Sequence, residues 1–292
     1  MSSMRYWLGA LALVASAAAH GAADPVRMPA YAGEYYPAEP HQLQQVVKQH
    51  LAEASPAPLP GKLLACIVPY APYGLSAHVM AAPFSHLEVG QYDRVVVLAP
   101  PTFEDTRSCS IAEVEAFMTP LGWVPVDTTA VRKLSMSPLI ETQSVDYGGR
   151  AGTLQEKTAS IESVLPFLQQ ALGLFRLIPI VISDRLAGDP KLREQRYEII
   201  AEELSEVMDD RTLLVVAAHF TQYGGAGGFA PYGDDPAAQL RETDLGLASL
   251  VCERKAKSLA KELARSRNSI RGMSALQVLM RLMPREAACT VS

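Results

Sequence analysis

Leu177-Ile178-Pro179-Ile180-Val181-Ile182 and Leu213-Leu214-Val215-Val216-Ala217-Ala218 are unbroken aliphatic runs of strand length. Runs of this kind suit strands covered on both faces, where alternation with polar residues has no use. Leu63 to Val68 and Arg94 to Leu98 repeat the pattern. Helical stretches lie among them. One follows Glu39-Pro40-His41 with apolar positions at Leu43, Val46, Val47 and Leu51, and another is an Ala-rich segment holding His78 and His86. Two more are expected over Thr158 to Leu172 and Leu192 to Met208. Strands alternating with helices of this length predict an α/β protein, a three-layer sandwich around a largely parallel central sheet. Ligands on such sheets bind beyond the carboxyl ends of the strands, so the residues after each run are the ones to inspect.

The 292 residues, 49% hydrophobic and 20% charged, suffice for a substantial core. No Ser/Gly-rich linker or charge run divides them. The first 23 residues are expected to be an export signal: Arg5, an apolar run from Trp7 to Ala19, then small residues before Asp24. That run is shorter than the roughly 20 residues a bilayer span needs. The expectation is therefore a single domain over 24–292, exported to a bacterial periplasm, with no membrane span in the mature chain. A net charge of −5, with both signs well mixed, offers no basic stripe, and nucleic acid is not an expected partner.

Cys66, Cys109, Cys252 and Cys289 have no Cys-x-x-Cys spacing, which excludes a zinc ribbon and a thioredoxin-type pair. Cys66 reads as a small core residue and Cys289 as an exposed tail residue; export would permit disulfides, whose pairing the sequence leaves open. Gly224 to Gly228 has neither a Gly-Lys-Ser/Thr ending nor a helix-opening G-x-G-x-x-G, so a loop is expected there and not a phosphate cradle.

Several ordered patterns go further. Arg27, Pro29, Ala32, Gly33, Tyr36 and Pro37 form an opening signature; Ile67-Val68-Pro69-Tyr70-Ala71-Pro72-Tyr73, Leu98-Ala99-Pro100-Pro101-Thr102 and Thr119-Pro120-Leu121-Gly122 follow. Ser160-Ile161-Glu162, Leu165-Pro166-Phe167, Ala217 to Gly224 and Ser269-Ile270-Arg271-Gly272 complete the series. In this order they resemble the Memo-like family, whose bacterial members are called AmmeMemoRadiSam system protein B. The resemblance runs from about Arg27 to Leu282. It implies a fold and pocket like those of class III extradiol dioxygenases, which are ring-cleaving, non-haem iron enzymes.

The family patterns read P-H-A-G-Y, G-P-S-H and C-G where this chain has Tyr70, Thr102 and Arg271. Ala159 and Val164 stand in place of two further histidines, His219 in place of an aspartate and Gln222 in place of a histidine; Tyr31 also stands where histidine is common. Iron chemistry of this type needs imidazoles and an anionic ligand. A phenol of ordinary pKa, a threonine hydroxyl and a permanent cation do not replace them, and Arg271 would repel a divalent metal by roughly several kcal/mol at short range. No metal or other cofactor is expected.

The first expectation is thus a non-catalytic protein that uses the former site to bind a small, anionic ligand or a protein partner. The site residues are Tyr31, Tyr70, Thr102, Glu162, His219, Gln222 and Arg271, with Tyr73 a further apolar wall. A plainer assignment has Arg271 paired with Glu162 or another acid and the tyrosines packed. An alternative is an enzyme with a rebuilt site, in which His219 beside Glu162 or Tyr70 is a general base, or joins His78 or His86 in a new metal site. A third is an interaction protein docking through the charged helix Glu253 to Arg267.

Overall fold

The computed structural model describes residues 26–102, 108–143, 158–186, 189–224 and 235–291. Their elements, in chain order, begin with β1 (Val26–Arg27), α1 (Pro40–Glu53), β2 (Ala65–Val68), α2 (Tyr73–Phe84) and β3 (Arg94–Ala99). Next come β4 (Cys109–Ala112), β5 (Ala116–Thr119), β6 (Gly122–Pro125), α3 (Thr128–Leu134) and β7 (Ile140–Gln143). The remainder is α4 (Ala159–Glu162), α5 (Leu165–Leu172), β8 (Arg176–Ile182), α6 (Pro190–Ser205), β9 (Thr212–Ala217), α7 (Pro236–Cys252), α8 (Ala256–Ser266) and α9 (Met273–Leu282).

Six strands form the central sheet in the order β2-β9-β3-β8-β4-β7. The four aliphatic runs are its first four strands, all parallel. β4 turns antiparallel to β8, and β7 follows β4 in parallel. α1, α2 and α5 pack on one another, and α6 on α9, giving the two helical layers of the sandwich. A small second sheet, β1-β5-β6, joins the N-terminal segment to the body.

Local chemistry sets the helix starts. Glu39, Asp189 and Asp235 each precede a proline and accept from amides of the first turn of α1, α6 and α7. The carboxylate satisfies orphan N–H groups, and proline at the first helical position has no N–H to leave unpaired. The single helix expected over Thr158 to Leu172 is broken into α4 and α5, because Pro166 has no N–H to donate to the Glu162 carbonyl. His78 lies in α2, but His86 falls beyond its end, past Pro83, so the two do not share a helix.

Pro179 marks a junction in β8. On the flank away from β3, the Leu177 carbonyl accepts from Asp127 N–H at 2.9 Å, whereas β4 pairs only with Ile180 to Ile182. Main-chain groups of alternate residues face alternate neighbours, so the missing N–H of Pro179 lies between these two partners.

Cys252 and Cys289 form a disulfide, with Cys289 at the exposed tail; Cys66 and Cys109 are buried free thiols. Among the described residues no helix is long and apolar enough to cross a membrane. The expected export signal over residues 1–23, and Gly225 to Gly228 of the glycine-rich stretch, lie outside the described residues.

Candidate functional site

The loops after β2, β3, β8 and β9 meet at the carboxyl ends of the parallel strands, joined by the segment before α9. Tyr70 follows β2, Thr102 follows β3, His219 follows β9, and Arg271 pairs with His219 in a two-bond antiparallel bridge, 2.9 Å in each direction. Sequence reasoning brought these four together, and they are neighbours here.

Their side chains engage one another and the backbone. The Tyr70 ring, 4% exposed, stacks on the His219 imidazole with centroids 4.0 Å apart and planes 6° from parallel. His219 Nε2 accepts from the Tyr70 N–H at 3.1 Å, which puts the imidazole proton on Nδ1. Burial, and secondarily the Arg271 charge, push the His219 pKa down to about 4. The imidazole is therefore neutral near pH 7, a weak base whose lone pair is already in use.

Burial also pushes the Tyr70 phenol up to about 12, against the lowering effect of nearby Arg271. Among the described residues the Tyr70 hydroxyl has no hydrogen bond of good geometry. Arg271 donates from Nη1 to the Thr102 carbonyl at 3.1 Å. The Thr102 hydroxyl accepts from Ala159 N–H at 2.9 Å, and Ser160 Oγ donates to the Pro100 carbonyl at 2.6 Å. These positions thus engage one another and the adjoining backbone.

Glu162 belongs to a different network. Wholly buried, it accepts from Arg27, from the amides of Ala30 and Tyr31 at 3.0 and 2.8 Å, and from the Tyr36 hydroxyl. The plainer pairing of Arg271 with Glu162 is therefore not made, since Arg27 takes that carboxylate. Glu162 fastens the N-terminal segment to α4. Tyr31, half-buried, packs edge-on against Tyr35, with ring centroids 5.2 Å apart. Burial raises its phenol, partly offset by a hydrogen bond with Thr102. Tyr73 is a core residue whose hydroxyl donates to the Ser163 carbonyl. Gln222 is half-buried in the loop after His219, outside the contacts that join the four central residues.

Sequence reading missed Asp184 and Arg185, although they directly follow a strand whose carboxyl end it had marked. Asp184 accepts from Gly272 N–H and Ser274 N–H, both at 2.8 Å, and so caps α9. Gly272 adopts φ +93°, and a Cβ there would meet the Ala217 carbonyl oxygen at 2.7 Å. Arg185 is exposed and Arg271 half-exposed; with Pro100, Pro101, Ser183 and Asp184 they line a cleft of about 10 Å³. That space suits one water or the tip of a small ligand group. An open groove of about 500 Å³ lies nearby, between the turn at Gly33 to Ala38, α1 and the start of α2, and shares Tyr35 as a neighbour of Arg271.

The donor set does not fit a divalent metal. A phenol held near pKa 12, a hydroxyl already accepting an amide and a guanidinium supply no anionic or imidazole ligand of the required kind. Among the described residues no three His, Cys, Asp or Glu side chains converge to hold an ion.

The Memo-like protein family profile matches residues 27–290. The chain is similar to the memo-1 homologue of Caenorhabditis elegans, 27% identical over 215 residues, 73% of this chain and 57% of that protein. A MEMO1 family protein of Methanopyrus kandleri is 30% identical over 212 residues, 68% of this chain and 69% of that one. One from Thermococcus onnurineus is 24% identical over 257 residues, 85% and 84% respectively. The alignment with the C. elegans protein therefore spans little more than half of that relative. With the family profile covering nearly the whole described chain, this protein belongs to the Memo-like family.

Proposed function

We propose that this chain is an exported, non-catalytic Memo-like protein whose metal site has been lost, and that it binds a small anion at the cleft between Arg185 and Arg271. The observation that carries the reading is the mutual engagement of the substituted positions: Tyr70 with His219, Arg271 with the Thr102 carbonyl, and Thr102 with Ala159. The His219 Nε2 lone pair and the Thr102 hydroxyl are taken by backbone N–H groups, and the Tyr70 phenol, pushed up to about 12, stays protonated. Two guanidiniums and one carboxylate line the cleft, and that carboxylate accepts two backbone amides. Guanidinium pairs well with carboxylate or phosphate.

Two measurements test this. After anaerobic incubation with Fe(II), Zn(II) or Cu(I) and removal of free metal, elemental analysis is expected to give far less than one metal per chain. Near-stoichiometric metal abolished by His219→Ala would instead establish a rebuilt metal site. Thermal unfolding in acetate, succinate or inorganic phosphate at 100 times the dissociation constant is expected to show about 2.7 kcal/mol of added stability. Arg271→Met should remove that gain; its persistence would remove Arg271 from the binding site.

A further inference from the structure

α7 and α8 rest on the body through few fully buried side chains, Leu247 and Val251 in α7 and Leu259 in α8. Leu250, Ala256 and Leu263 pack against the core while only partly buried, and polar and covalent links add to this. Asp244 of α7 accepts from Thr221 N–H at 3.1 Å, and Asn268, just after α8, donates to Thr221 Oγ1 at 2.6 Å. Arg254, between the two helices at φ 54°, donates to the carbonyls of Arg285 and Ala287 in the tail. Beside it the Cys252–Cys289 bond closes a separation of 37 residues.

Solvent reaches the residues of this bond: Cys289 is exposed and Cys252 half-buried. Cys66 and Cys109 differ, because both lie inside the central sheet and burial raises their thiols, Cys66 to about 12. Buried thiols of that kind are inert to exchange.

We propose that Cys252–Cys289 is a redox-operated fastener: oxidised, it clamps the α7–α8 pair to the C-terminal tail, and reduction by an external dithiol loosens that pair while the sheet stays folded. In the closing direction each thiol releases a proton, and their two electrons pass to an external disulfide, which becomes two thiols. Thr221 stands two residues from His219 and Asn268 three before Arg271, so the loosened pair adjoins both halves of the His219–Arg271 bridge. The proposal does not depend on anion binding.

The full chain, equilibrated with oxidised glutathione and then unfolded in iodoacetamide, is expected to take up two alkyl groups by intact mass, and four after prior reduction. Hydrogen exchange on the native protein with and without dithiothreitol then reads the fastener. Reduction is expected to lower amide protection in α7 and α8 by roughly tenfold or more, from the usual worth of a disulfide. Protection in β3, β8 and β9 should be unchanged, and Cys252→Ser with Cys289→Ser should match the reduced wild type. If that variant does not fold, the reduced wild type still decides. Uptake of four alkyl groups without reduction, equal protection of α7–α8 in both states, or loss of protection throughout the sheet would each overturn the proposal.

Discussion

Arg27 and Glu162, 135 positions apart, bury opposite charges against each other, with side chains 1% and 0% exposed. Removing one member of such a pair leaves a charge without compensation in the interior, which costs about 3–5 kcal/mol. Glu162→Gln is expected to lower stability by that amount in urea unfolding, because glutamine cannot neutralise the Arg27 guanidinium. A loss well under 1 kcal/mol would mean that water reaches the pair. The sequence showed both residues inside motifs but could not show that they are partners, because nothing local links them. For the same reason it gave Glu162 to the cleft. Tyr70, Thr102, His219 and Arg271 were legible as a group because each sits just after a strand or in a segment returning to one. How they would satisfy one another depended on ring orientation and backbone contacts that spacing does not encode.

At the scale of elements, α9 begins where the chain has least freedom. Gly272 combines a left-handed φ with close contact to the Ala217 carbonyl and the Ala218 Cβ, the latter at 3.1 Å from the position a Cβ would take. Gly272→Ala is expected to destabilise by about 2–3 kcal/mol, since both the dihedral and the contact with main chain oppose it. Circular dichroism melting against Gly246→Ala, where a Cβ meets open space inside α7, separates this from a general effect of replacing glycine. The four aliphatic strands were readable because continuous burial leaves a continuous apolar signature. β4 to β7 were not, being only four residues each and amphipathic or mixed. The break between α4 and α5 was in principle readable from Pro166, but apolar periodicity carries across it and hides it. Four cysteines allow three complete pairings, and only the fold brings Cys289 back to the end of α7.

Across the whole molecule, pH acts on stability through the half-buried imidazole. His219 has a native pKa of about 4 against an ordinary 6.5, so the unfolded chain binds this proton first as pH falls. Its contribution is fully present above pH 6.5, is lost progressively between about 6.5 and 4, and amounts to at most about 3 kcal/mol. The difference in unfolding free energy between wild type and His219→Gln, followed through that window, should shrink by this amount as pH falls. A difference independent of pH would place the imidazole in solvent. The sandwich itself was legible in outline, while the reversal at β4 was not, because it depends on which segment claims one flank of β8. There Pro179 has a consequence for folding fidelity. Between the Asp127 contact and the first β4 pair it offers no hydrogen to a passing strand, so β4 cannot zip onward and the segment at Val126 cannot slide the other way. Two stretches that must share one strand are thereby kept in separate berths, and a valine at this position, although a better strand former, would invite each to trespass on the other.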